Sequence, residues 1–126
     1  MKVAVIDDDP VEELILSGLA ENLETPVAFT AFKTLESFLQ DSGVQQFDAV
    51  FLDRRVPPYG DFSETLPKLA AANVNGHIIL LTARTAGKVE APDNLKVIGP
   101  YEKLDVQDPE VLAELLAGRG APARQL

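Results

Sequence analysis

The chain has 126 residues, a formal charge of -9 from 20 acidic and 11 basic side chains, and no cysteine. That length suits one domain with its own core. The acidic balance argues against nucleic acid or an anionic membrane as the main partner, and the missing cysteines exclude disulfides and thiolate zinc sites. The first apolar run is too short for a signal peptide and no later one reaches the length of a membrane span, so a cytoplasmic protein is expected.

Five short apolar runs, at residues 3–6, 27–29, 49–52, 78–81 and 97–98, read as strands. Most lack polar alternation, the pattern of strands covered on both faces in a parallel sheet. Helices are predicted between them. Asp9, Pro10 and Glu12 give a cap, a first-turn proline and an N3 acid, with Leu14, Ile15, Gly18 and Leu19 at helical spacing after them and Glu12, Glu13 and Glu21 on a solvated face. A second helix is predicted over 34–40, with Leu35, Phe38 and Leu39 on one face and Gly43 beyond its end. A third lies within 63–73, where Pro67 predicts a late start or a bend. Gly87, Pro92, Asp93 and Asn94 leave the fourth short or irregular, one or two turns within 82–95. Asp108, Pro109 and Glu110 open the last, which buries Val111, Leu112, Leu115 and Leu116 and stops at Gly118. One domain over 1–117 and a flexible tail over 118–126 are expected. Phe29, Phe32, Phe38, Phe47 and Phe51 read as core or core edge, and the lone histidine, His77, as a strand-edge residue.

Alternating strands and helices imply an open, doubly wound α/β fold, whose ligand site lies at the carboxyl ends of the strands. Asp7, Asp8 and Asp9 end the first strand, Asp53 the third and Thr82 the fourth, and Lys103 follows the fifth. Asp9 is accounted for as a cap. Two carboxylates about 4 Å apart repel by roughly 4 kcal/mol at an effective dielectric near 20, so Asp7, Asp8 and Asp53 need a neutralising cation. Magnesium, which takes one or two carboxylates, keeps waters and binds phosphate oxygens, suits the position, and manganese can substitute. A carboxylate nucleophile, a metal, the Lys103 cation and the Thr82 hydroxyl form a set able to accept a phosphoryl group as an acyl phosphate.

VIDDDP at the first strand, FLDRRVP at the third, LLTA at the fourth and the lysine after the fifth resemble the receiver domain of two-component response regulators, over residues 3–117. The resemblance implies a five-stranded parallel sheet in the flavodoxin-like order 2-1-3-4-5. It makes Asp53 the phosphoacceptor, and Asp7, Asp8, Asp53 and the backbone carbonyl of Arg55 the metal ligands. Thr82 and Lys103 would bind phosphoryl oxygens, and Thr82 and Tyr101 would form the switch. Pro57, four residues after the acceptor, also matches. Leu104 replaces the proline that normally follows the lysine, so a trans, reshaped turn is expected there. Pro100 stands where the switch aromatic usually lies, with Tyr101 one place late.

Arg55 and Arg84 occupy positions that flank the phosphorylation site in that family and would change the lifetime of the acyl phosphate; alternatively they balance an acidic crevice. The function implied is a phosphorylation-dependent switch, a single-domain response regulator that takes its phosphoryl group from a sensor histidine kinase or histidine phosphotransferase and signals by contact with a target protein. It catalyses its own phosphorylation and dephosphorylation and turns over no external substrate. Two alternatives stand beside it. A degenerate receiver would bind a partner without phosphorylation. The string from Asp7 to Val11 also resembles haloacid-dehalogenase-like phosphatases, with Asp7 as nucleophile, Asp9 as acid/base and Thr82 and Lys103 in support; the chain is short for that fold, and Asp105 and Asp108 fall too close after Lys103.

Overall fold

A computed structural model describes residues 1–41, 43–83, 89–120 and 124–125. Its main sheet holds β1 (Lys2–Ile6), β2 (Ala28–Phe32), β3 (Ala49–Asp53), β4 (His77–Thr82) and β6 (Val97–Glu102) in the order β2-β1-β3-β4-β6, every adjacent pair parallel. Without the two-residue β5 (Glu90–Ala91), this is the doubly wound order expected from the sequence.

The unalternating strands are explained by two cores. Ala4, Ile6, Val50, Leu52, Ile78 and Leu80 face one layer with α2 (Leu35–Leu39) and α3 (Phe62–Ala71), where Phe38, Leu66 and Leu69 are fully buried. Val3, Val5, Phe51, Ile79 and Leu81 face the other, with Leu16 of α1 (Pro10–Ala20), Val106 of α4 (Lys103–Val106) and Leu112 and Leu115 of α5 (Pro109–Leu116). Successive side chains of a strand point to opposite faces, and here each face meets helices, so the central positions of β1, β3 and β4 are apolar. Phe32, Phe38 and Phe47 close the first core edge-on and tilted, with centroids 5.3 to 5.8 Å apart. Phe51 is buried in the second core and Phe29 is half-buried beside it.

The two predicted caps form: the Asp9 carboxylate accepts from Val11 N–H at 3.0 Å and Asp108 from Glu110 N–H at 2.9 Å, each followed by its proline. A further cap opens α2, where Thr34 Oγ1 accepts from Ser37 N–H at 3.1 Å. Gly118 follows α5 with φ +79, a backbone conformation open to glycine.

Several expectations change. The buried stripe of α1 is Glu12, Leu16 and Ala20, while Leu14 is 66% exposed and Gly18 faces solvent. The helix enters from β1 through the Asp9 cap and the Asp9 N–H to Asp7 Oδ1 bond, and this rotates the predicted apolar face partly outward. The edge strand β2 extends to Phe32, held by pairing with Ile6, beyond the predicted 27–29. Helix α3 starts at Phe62 rather than late: the Asp61 carboxylate caps it at 2.8 Å, and burial of Phe62, Thr65, Leu66 and Leu69 carries it through Pro67. Residues 89–95 contain β5 and a turn but no helix, and residues 84–88 lie outside the described set. The last strand of the main sheet continues past 98 because a bulge intervenes: Ile79 pairs with Ile98 but Leu81 with Tyr101, three residues of β6 against two of β4. Beyond α5, β7 (Arg124–Gln125) pairs in parallel with β5. No helix among the described residues is long and apolar enough to cross a membrane.

Candidate functional site

Parallel pairing places the carboxyl ends of β1, β3, β4 and β6 at one edge of the sheet, with Ile6 beside Leu52, Asp53 beside Leu81, and Thr82 beside Glu102. The polar residues that end these strands therefore meet although their sequence separations are large. Asp7, Asp8 and Asp53 bring one carboxylate oxygen each within 4.8 Å of one another. Asp7 is buried, Asp53 half-buried and Asp8 exposed, so the cluster has a dry floor and an open side.

Lys103, the first residue of α4, reaches into this cluster. Its Nζ lies 2.9 Å from Asp7 Oδ2 and 3.3 Å from Asp53 Oδ1. Burial alone would lower the Lys103 ammonium, but the bond to Asp7 and the charges of Asp53 and Asp7 outweigh it and hold its pKa above the ordinary value. Burial and then the Asp7 charge push the Asp53 carboxyl up from its ordinary 3.8, against the pull of Lys103 and the Arg54 backbone N–H. The Asp7 side chain is fixed on its other oxygen, where Oδ1 accepts from Asp9 N–H at 2.9 Å.

A cleft of about 420 Å³ opens over Asp53, lined by Arg54, Arg55, Thr82, Ala83 and Lys103. Thr82 is buried, Arg55 exposed, and Arg54 is drawn aside by Asp61, with Nε 3.3 Å from Oδ1. The Arg54 backbone N–H donates to Leu81 C=O at 2.9 Å, which locks the residue after Asp53 to β4. Asp7, Asp8 and Asp53 are hard oxygen donors that could together hold a divalent cation, and Lys103 places its positive charge between two of them while Asp8 leaves a side open to water.

The structure thus brings together Asp7, Asp8, Asp53, Arg55, Thr82 and Lys103. The reshaped turn expected at Leu104 does not displace the lysine; Lys103 opens a helix with Leu104 78% exposed behind it. Tyr101 lies apart from the cleft. The bulge turns it into the second core, beside Leu115 and Gly120, where an added Gly120 Cβ would stand 3.1 Å from the Tyr101 hydroxyl. Arg84 lies outside the described residues.

Sequence reasoning missed Glu12, placing it on a solvated face. It is 6% exposed, and its Oε1 has no hydrogen-bond partner among the described residues. Burial pushes its carboxyl up, with Lys103 pulling down and Asp7, Asp53 and Asp9 pushing up. The signal was its spacing to Leu16 and Ala20, four and eight residues on, the stripe that the helix buries.

No protein-family model and no curated protein matches the sequence. Solved structures do match. The Salmonella typhimurium RcsB response regulator, described for its conformational dynamism in DNA interaction, superposes with TM-score 0.63 at 19% identity over 95% of this chain. This chain spans 61% of that regulator's length. A response regulator receiver protein from Pseudoalteromonas atlantica superposes with TM-score 0.66 at 15% identity, covering 93% of this chain and 97% of that one. The signal receiver domain of the putative response regulator NarL from Mycobacterium tuberculosis gives 0.63 at 17% identity, over 93% and 94%. The chain has the doubly wound fold of response regulator receiver domains.

Proposed function

We propose that this protein is a phosphorylation-dependent signalling switch in which Asp53 accepts a phosphoryl group from the phosphohistidine of a sensor histidine kinase or histidine phosphotransferase. The observation that carries the reading is Lys103 Nζ placed between Asp7 and Asp53 at the floor of an open cleft, with Thr82 on its wall. Asp7, Asp8, Asp53 and the Arg55 carbonyl would hold magnesium, or manganese, which supplies charge neutralisation for the incoming phosphoryl oxygens.

The chain's own residues perform the rest. Asp53 attacks phosphorus through a carboxylate oxygen and forms the acyl phosphate as the histidine nitrogen leaves. Lys103 gives its charge to one phosphoryl oxygen and the Thr82 hydroxyl donates to another, at distances where a low local dielectric strengthens both. The inward pull on Thr82 is the event that biases the surrounding surface, and the output is contact with a target protein. Tyr101, seated in the second core beside Gly120, would enter the switch through the end of α5 rather than through the cleft.

Incubation with magnesium and a small phosphodonor, followed by mapping of the labelled residue, tests this. Label on Asp53 supports the switch; label on Asp7 means the phosphatase reading. A degenerate receiver would take none and would bind its partner equally well as Asp53→Asn.

A further inference from the structure

Glu12 is an acid at a position the fold could fill with an apolar residue. It shares the buried stripe of α1 with Leu16 and Ala20, yet its Oε1 is buried and has no hydrogen-bond partner among the described residues. It lies in the first turn of α1, three residues after Asp9, whose N–H holds Asp7 Oδ1, and the charges of Lys103, Asp7, Asp53 and Asp9 all act on its carboxyl, so it lies beside the cluster. A buried carboxyl with an unsatisfied oxygen is costly, and that cost falls when a donor reaches it.

Lys103 is the neighbour with donors to give. Its ammonium sits between Asp7 and Asp53, two of the three carboxylates that would hold a divalent cation. An ammonium and a divalent ion cannot share those oxygens closely, because their repulsion in a half-buried site is strong. Before phosphorylation no phosphoryl oxygen is present to receive the lysine. We propose that Glu12 is the positioning residue of Lys103: when a divalent cation takes Asp7 and Asp53, the ammonium passes to Glu12 and is held there, beside the cleft, until a phosphoryl group arrives. The inference rests on the receiver reading, since it requires that the cluster bind a divalent cation. Glu12 touches neither the ion nor the phosphoryl group; it lowers the cost of displacing Lys103.

The test uses magnesium alone as the probe. Calorimetric titration is made on the whole chain as wild type, Glu12→Gln, Glu12→Leu, Lys103→Met and the Glu12→Gln/Lys103→Met pair. Loss of the displaced lysine's acceptor is expected to weaken magnesium by roughly tenfold in both Glu12 variants, the size usual for outer-shell residues of metal sites. In the Lys103→Met background Glu12→Gln should change the affinity by less than about twofold, because the group it positions is gone. An equal loss in both backgrounds overturns the proposal in favour of direct action on the ion, and unchanged affinity in Glu12→Gln and Glu12→Leu overturns it while leaving the receiver reading intact. Wild type that binds no magnesium ends both. Should a variant fail to fold, the wild type decides alone: on magnesium addition, Lys103 Nζ–H correlations must move from the Asp7 and Asp53 carboxyl carbons to that of Glu12, and correlations that stay in place reject the hand-over.

Discussion

Lys103 Nζ donates to Asp7 Oδ2 across 96 residues of sequence, a contact that joins the first strand of the sheet to the helix that follows its last. Electrostatics at this pair set the behaviour of the whole site, because the same ammonium also compensates Asp53 and competes with any metal ion.

Burial and then the Asp7 charge push the folded pKa of Asp53 above its ordinary value. A group shifted in this direction stabilises the fold below the ordinary carboxylate range and loses that contribution as pH rises through the folded pKa. Asp53→Asn should therefore raise the urea midpoint at pH 7 in the presence of a chelator, with an unchanged m-value, and the gap should close as pH falls below about 4. A midpoint at pH 7 equal to or lower than that of wild type would show that the Asp53 charge is not strained.

His77 gives the opposite dependence. Its Nε2 lies 2.8 Å from Leu115 C=O, and burial lowers its pKa below 6.5, with the Leu115 bond opposing. Its contribution is full above pH 6.5 and is lost as pH falls through the folded value. Wild type should lose stability relative to His77→Gln between pH 7 and 5.5, read from urea unfolding at each pH; parallel curves would contradict this.

Gly76 is required by close approach. A Cβ there would meet the Phe47 carbonyl oxygen and would lie 2.8 Å from the Asp48 carbonyl, where β3 and β4 begin to pair. Gly76→Ala should cost about 1–3 kcal/mol through this overpacking, measured as a fall in the denaturation midpoint. A change under about 0.5 kcal/mol, the size usual at an unconstrained surface, would mean that the backbone yields freely.

Arg55 is exposed at the rim of the Asp53 cleft. If it screens the acyl phosphate from water, Arg55→Ala should shorten the acyl-phosphate lifetime by roughly three- to tenfold, a barrier change of about 0.7–1.4 kcal/mol. Decay of phosphodonor-labelled protein measures it, and an unchanged rate would leave Arg55 as charge balance only.

The strands and their acidic ends were legible because a two-sided parallel sheet imposes unbroken apolar runs, and any polar residue at a run's end then falls at one edge. Asp7, Asp53 and Thr82 could be placed on that rule alone, and Lys103, five residues beyond the fifth run, through the resemblance to receiver domains. Glu12 could not, since the facing of α1 depends on how the Asp7 and Asp9 side chains steer the chain out of β1, and counting apolar residues favoured Leu14 and Ile15. Tyr101 was ambiguous for a related reason: a bulge reverses the face of every residue after it, and nothing in the local composition marks which of Gly99 or Pro100 carries the extra step. Pro67 misled because a cap and four buried side chains outweigh one missing hydrogen bond.

Titration with beryllofluoride and magnesium, followed by backbone amide and lysine side-chain shifts, tests the central claim most directly. The predicted result is saturable perturbation centred on Asp53, Thr82 and Lys103, dependent on magnesium and abolished in Asp53→Asn. Shifts absent at saturating fluoride and metal, or unchanged by Asp53→Asn, would contradict it.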